Sequence, residues 1–399
     1  MAKLALKGGK PVREKGWPSW PIYDECELKA LKGALEERMW GGGVGRSNPR
    51  EKEIEERFAS FHDCRYGVAV STGTAALHVA LLAAGVGEGD EVIVPAITWL
   101  ATGSAALMTG AELVFCDVHP ESYCLDAEKL ESLITSKTKA VITVHNFGTS
   151  SDMDKLLEMT RKHNLLLIED CARAHGFRWK DRSVGSLGDM GCFSFQRGKF
   201  MTCGEGGMIT TNDRKLFERC RSIKDCGRTR EGDAHSEGVT NYYNYRLTEF
   251  QSAILLCQLE RLKEQRERRK NNSEYLSGKL EGIEGIKPVK PDPRLTEHQP
   301  WPYLFRYDPE AFKGVPIGRF REALNAEGIP CGGIDPPLYR ALRPSKEDWE
   351  RFPEICPVAE RAPDELVSLP QNLFLSSKED MDDIAEAIAK IRENADELL

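Results

Sequence analysis

Five short apolar runs, at residues 67–70, 92–95, 113–116, 140–144 and 165–168, recur through the first half of the chain. Between them lie stretches with helical periodicity, such as 74–84 and 153–163. Strands buried on both faces of a sheet read as continuous apolar runs, and strands alternating with helices at this interval make βαβ units. The expected fold is therefore α/β, a mostly parallel central sheet flanked by helices. In such sheets ligands bind beyond the carboxyl ends of the strands. A length of 399 residues leaves room for a second, smaller domain.

The pattern changes after these runs. Residues 247–280 read as one long helix or a kinked pair, followed by links at Pro288, Pro291, Pro293 and Pro300. Residues 303–307 look like a strand, and 317–327 and 381–391 like amphipathic helices. These signals put a large domain at 46–280 and a smaller α+β C-terminal domain at 281–399. An N-terminal segment, 1–45, with a helix around Leu28, Leu31 and Leu35, is expected to pack with the small domain. The glycine run at 41–45 reads as a loop between helices. It is not a dinucleotide fingerprint, because its spacing is wrong and it follows no strand.

A net charge of -8 argues against a nucleic-acid partner, and the densest basic stretch, 261–270, alternates with Glu like a solvated helix face. No apolar run approaches membrane-spanning length, so no membrane partner is expected. The twelve cysteines are scattered without a C-x-x-C pair, and the first residues lack a signal-peptide apolar core. Reduced thiols in a cytoplasm are the expectation. No Cys and His have the close spacing of a zinc site, so no metal is expected either.

Three places in the sequence carry chemistry-bearing residues. Lys199 stands five residues after Ser194, between the apolar Cys192, Phe193 and Phe195 and the turn Gly204-Glu-Gly-Gly207. A lone lysine is ordinarily a solvated surface residue. Upstream, Asp170 ends a buried strand, where a carboxylate either caps the next helix or pairs with a protonated ring nitrogen. Further back, Ser71-Thr-Gly-Thr-Ala-Ala76 follows a strand and opens a helix. Taken alone, Thr72 or Thr74 there is a plain N-cap. Alternatively, Gly73 lets the backbone approach an anion held by the free N–H groups of Thr74 and its neighbours. Together, an amine nucleophile, a strand-end acid and a phosphate-cradling turn are the parts that hold pyridoxal 5'-phosphate. Ser194 would add a hydroxyl to the phosphate. Trp99 is either a buried aromatic or a plate stacked on the cofactor ring. Lys199 must lose its proton to act, so its pKa should be depressed. His145 and His175 read as packed histidines.

With these residues in hand, the chain resembles the sugar and secondary-metabolite aminotransferases of the DegT/DnrJ/StrS family, within the fold-type I pyridoxal-phosphate enzymes. The likeness runs nearly end to end. It includes Leu4-Ala-Leu-Lys-Gly-Gly-Lys-Pro-Val12, Val144-His-Asn-Phe-Gly148 with Asp152-Met-Asp154, Asn244-Tyr-Arg-Leu-Thr-Glu-Phe-Gln251, Cys356-Pro-Val-Ala-Glu-Arg361 and Leu369-Pro370. The resemblance implies Lys199 as the Schiff-base lysine and Asp170 as the pyridine-nitrogen partner. It implies Gly73, Thr74 and Ser194 around the phosphate, and Trp99 on the ring. It implies Asn244 reaching a neighbour's phosphate, so that a homodimer shares its active sites. One position departs: the family usually has glutamine three residues after the aspartate, and this chain has Arg173. If Arg173 points at the cofactor, a fixed cation favours the phenolate oxygen there.

The opening Gly8-Gly-Lys-Pro-Val-Arg13, Trp99 after a threonine, and Phe193-Ser-Phe-Gln196 are most similar to the branch acting on keto-cyclitols such as scyllo-inosose, or making aminohydroxybenzoate. The implied activity is amino transfer from L-glutamine or L-glutamate to a keto-cyclitol or keto-sugar. The alternatives are a dehydratase on the same fold, which often replaces the lysine by histidine, and a non-catalytic pyridoxal-phosphate-binding regulator. Loops at 40–46, Gln196, 231–243 and 335–339 are expected to shape the acceptor pocket.

Overall fold

A computed structural model describes residues 3–42, 48–228, 241–342 and 352–399. Parts of the loops expected at 40–46 and 231–243 lie outside the described residues.

The first half builds β1 (Tyr66–Val70), β2 (Glu91–Pro95), β3 (Glu112–Cys116), β4 (Thr138–Val144) and β5 (Leu166–Asp170). A short ribbon of β6 (Arg178–Trp179) and β7 (Arg182–Ser183) precedes β8 (Met190–Ser194) and β9 (Gly207–Thr211). Seven strands form one sheet in the order β1-β9-β8-β5-β4-β2-β3. Every pair is parallel except those made by β9, which runs antiparallel to both β1 and β8. The reason is local. The connection 195–206 contains no helix to carry the chain back across the sheet, so β9 returns beside β8 as a hairpin.

Alternation along each strand feeds two cores. Val68, Val70, Val92, Val94, Ile142 and Ile168 belong to one buried cluster, while Ala69, Ile93, Val141, Leu167 and Phe193 belong to another on the opposite face. The long helix Glu249–Leu280 is a single element, not a kinked pair. Thr248 and Gln251 close a capping box at its start, each side chain taking the other residue's backbone N–H.

Beyond it, β10 (Ile286–Pro288), β12 (Tyr303–Tyr307) and β13 (Leu366–Leu369) form an antiparallel sheet, while β11 (Leu295–Glu297) pairs with β6. Helices Ile317–Ala326 and Lys378–Glu393 join a third core containing Phe305, Phe320, Met381 and Ile388. Leu4, Val12 and Trp17 pack into the same core, and Arg13 pairs with Asp380 at 2.7 Å.

Two expectations change here. The helix Glu25–Glu36 lies along the long helix, not on the small domain: Glu27 accepts from Gln258 (2.7 Å) and Arg261 (2.8 Å). Leu28 and Leu35 are exposed, so they do not mark a core face. The thiols are not all reduced: Cys26 and Cys257 form a disulfide between these two helices. A separation of 231 residues hides that pairing from any spacing rule. The other cysteines are free, most of them buried. No described helix is long and apolar enough to cross a membrane.

Candidate active site

A cavity of about 560 Å³ opens at the carboxyl ends of β4, β5 and β8, against the N-terminus of helix Gly73–Ala83. Gly73, Thr74, Trp99, Asp170, Arg173, Ser194 and Lys199 all line it. Asn244 does not. It is exposed and forms an isolated bridge with Asp225.

The N-cap reading of the 71–76 turn is realised, and it uses atoms other than those the anion-site reading needs. Thr72 Oγ1 accepts from the Ala75 N–H at 3.0 Å. The first-turn N–H groups of Gly73 and Thr74 have no partner within the helix, and they point where the helix dipole favours an anion. Position 73 must be glycine for a packing reason, since a Cβ there would lie 2.6 Å from Ser194 Cβ.

Asp170 closes β5 with only 5% of its surface exposed. Its Oδ2 accepts from Thr102 Oγ1 at 2.8 Å, and Thr102 is itself 2.8 Å from Thr98 Oγ1. Oδ1 accepts from the Ala172 N–H at 3.1 Å. One residue earlier the side chain points to the opposite face and builds structure. Glu169 takes the N–H groups of Gly185, Leu187 and Gly188 and faces His145 Nε2 at 2.9 Å. His145, Glu169 and Cys171 lie within metal-ligand distance of one another, but those hydrogen bonds already occupy both Glu169 oxygens. His175 is packed against Phe193, Phe195 and Phe200, and burial holds its pKa well below the ordinary value.

Lys199 sits in the 195–206 connection, its backbone N–H bonded to the Gln196 carbonyl. Burial and then the Arg173 guanidinium push its amine down to about 7, against the opposing pull of Asp170 and Glu205. Its Nζ lies 4.2 Å from the centre of the Trp301 ring, and the Arg173 guanidinium 4.7 Å from the same ring. Arg173 donates to Asn146 Oδ1 at 2.8 Å, and burial lowers its pKa. Trp301, Asn146 and Thr102 were not singled out from sequence. Thr102 stands one helical turn after Thr98, a spacing that signals two hydroxyls on one face; Trp301 in its proline-rich link gives no such signal.

Residues 23–389 match the DegT/DnrJ/EryC1/StrS aminotransferase family. The chain belongs to that family. Among its relatives is a Streptoalloteichus tenebrarius protein, provisionally named an L-glutamine:3-amino-2,3-dideoxy-scyllo-inosose aminotransferase, 40% identical over all of this chain and 99% of that one. The L-glutamine:2-deoxy-scyllo-inosose aminotransferase of Micromonospora echinospora is 37% identical over the whole of both chains. Among solved structures, 3-amino-5-hydroxybenzoic acid synthase superposes with a TM-score of 0.87 at 33% identity, covering 96% of this chain and 100% of that one. The fold is that of the fold-type I aminotransferases, and the chain is an aminotransferase by family.

Proposed function

We propose that the chain moves an amino group from L-glutamine to a keto-cyclitol, using pyridoxal 5'-phosphate, in two successive half-reactions at one site. The observation that carries this reading is a half-buried amine, Lys199, lowered to about 7 and sharing one cavity with the strand-end carboxylate Asp170. The relatives' activities supply the donor and acceptor classes.

The residues suit the cofactor. The Gly73 and Thr74 N–H groups and the Ser194 hydroxyl make a cradle for its phosphate, and a Cβ at position 73 would intrude on it. Thr102 and the Ala172 N–H fix the orientation of the Asp170 carboxylate, which would pair with the ring nitrogen. Trp99 would stack on the ring, and Arg173 would serve its phenolic oxygen. When bound, the group supplies an electron sink for the donor's α-carbon. Lys199 Nζ, which gives up its proton near pH 7, would take the proton from that carbon, with the Trp301 ring packed 4.2 Å from the amine. Asn244, outside its own subunit's cavity, reaches the partner's phosphate in a homodimer. We infer a cytoplasmic reaction, in which the Cys26–Cys257 disulfide has to withstand a reducing environment. With a large unit at 46–280 and a small unit at 281–399, the cavity would lie at their junction, since Trp301 of the second lines it.

The test is the visible spectrum of the holoenzyme. Adding L-glutamine alone should abolish the cofactor's absorption band, and Lys199→Ala should show no such change. A band indifferent to both glutamine and glutamate would turn the reading towards the dehydratase or the non-catalytic binder.

A further inference from the structure

Arg269 lies inside the long helix Glu249–Leu280 and is fully buried, yet among the described residues no carboxylate pairs with it. Arg266, one turn earlier, is buried too but has Glu297 at 3.3 Å. Arg269 Nη1 donates to Gln299 Oε1 at 3.1 Å, while its Nε and Nη2 find no acceptor among the described residues. Burial pushes its pKa down to about 9, the mark of a cation stripped of water without a counter-charge. Such a group destabilises a core, and an apolar side chain of similar volume would not. Stability alone therefore does not account for an arginine here.

What the guanidinium touches lies around Lys199, on three separate segments. Its central carbon is 5.1 Å from the centres of both the Trp20 and the Phe200 rings, within the range of a cation–π contact. Phe200 follows Lys199 directly in the chain. Trp20 Nε1 donates to the carbonyl of Arg197, on the other side of Lys199, at 2.9 Å. Gln299, which accepts from Arg269, donates in turn to the His175 carbonyl at 3.0 Å and precedes Pro300 and Trp301. The Trp301 ring meets that of Phe200 edge-on at 6.1 Å and lies 4.2 Å from the Lys199 amine.

One side chain thus joins the N-terminal segment, the 195–206 connection and the link that carries Trp301. A flat, charged fork that donates in its plane and offers its faces to aromatic rings is arginine's particular chemistry. The charges acting on the Lys199 amine are those of Arg173, Asp170 and Glu205, so Arg269 reaches it through packing and not through its field. We propose that Arg269 is a positioning residue for the amino transfer, fixing the connection that bears Lys199 and so holding the amine against Trp301. The proposal rests on the reading of Lys199 as the reacting amine, and adds the residue that keeps it in place.

The experiment uses three variants. Arg269→Met keeps the bulk and removes the charge, Arg269→Lys keeps a charge and a donor, and Trp20→Phe keeps a ring but loses the bond to Arg197. For each, the half-reaction of the holoenzyme with L-glutamine is timed, and the pH midpoint for acylation of Lys199 is measured in the cofactor-free chain. In Arg269→Met the maximal rate should fall at least about tenfold, while the glutamine concentration giving half of it changes less than about threefold. The acylation midpoint should rise from about 7 towards the ordinary lysine value, because an amine no longer held in place meets water. Arg269→Lys should recover part of both, and Trp20→Phe should show both in weaker form. A methionine variant that melts lower but keeps the wild-type rate and midpoint makes Arg269 a core residue only and overturns the proposal, as do losses that lysine does not relieve. If Arg269→Met fails to fold, Trp20→Phe decides, and an unchanged rate and midpoint there overturn the proposal as well. Wild-type holoenzyme that ignores L-glutamine overturns the amino-transfer reading instead, so the two failures are distinct.

Discussion

Lys199 and Arg173 are two basic groups in one pocket, and the repulsion between their charged forms has a measurable consequence. In the cofactor-free protein the Lys199 amine should react with an acylating reagent along a titration centred near pH 7, read by mass spectrometry of its peptide. Removing the neighbouring charge in Arg173→Gln should move that midpoint to higher pH; an unchanged midpoint would mean that burial alone sets it. The fold feels the same shift. The unfolded chain holds this proton up to about pH 10 and the folded chain only to about 7, so Lys199's contribution makes stability rise with pH between those values. Asp170, Ser194 and the 71–76 turn are legible because each sits at a strand end, where sequence shows both the apolar run and the break after it, and Lys199 follows β8 by five residues. Asn146, two residues past β4, lies in the quoted 144–148 motif without a role of its own, and Trp301 reaches the site through long-range packing that leaves no local pattern.

At the level of elements, the carboxyl end of β5 divides two tasks between neighbours, Asp170 into the cavity and Glu169 into the structure behind it. Strand alternation makes the division unavoidable. Glu169→Ala would orphan the buried N–H groups of Gly185 and Leu187 and the half-buried one of Gly188, and it should cost about 3 kcal/mol or more in denaturant unfolding. The Cys26–Cys257 link predicts a disulfide-joined peptide pair in a non-reducing digest. Cys257→Ser should lose about 2–4 kcal/mol of stability. Unchanged unfolding would show that the Glu27 contacts to Gln258 and Arg261 hold the helix pair unaided. The strands and the long helix were readable from periodicity. The docking of helix Glu25–Glu36 was not, because its leucines face outward and its attachment runs through polar groups and one distant sulfur.

For the whole molecule, the exposed surface near the site is unusually apolar. Trp99 is 57% exposed, and Leu100, Leu107 and Met108 stand out beside it on one helix. Large apolar groups left open in one chain are expected to be covered by a second copy. With Asn244 lying outside its own cavity, the proposed homodimer gives a complementation test. Lys199→Ala and Asn244→Ala proteins, each inactive alone, should regain activity when unfolded and refolded together, because each mixed dimer then contains one intact site. No recovery would place Asn244 outside the catalytic assembly.

In the proposed reaction, nitrogen passes from glutamine to a cyclitol carbonyl at Lys199. The most direct test supplies L-glutamine labelled with a heavy nitrogen isotope at its α-amino group, together with a keto-cyclitol, and weighs the product. The wild type should yield an aminocyclitol carrying the label, and Lys199→Ala none. An unlabelled product, a dehydrated one, or a labelled one from the lysine variant would contradict it.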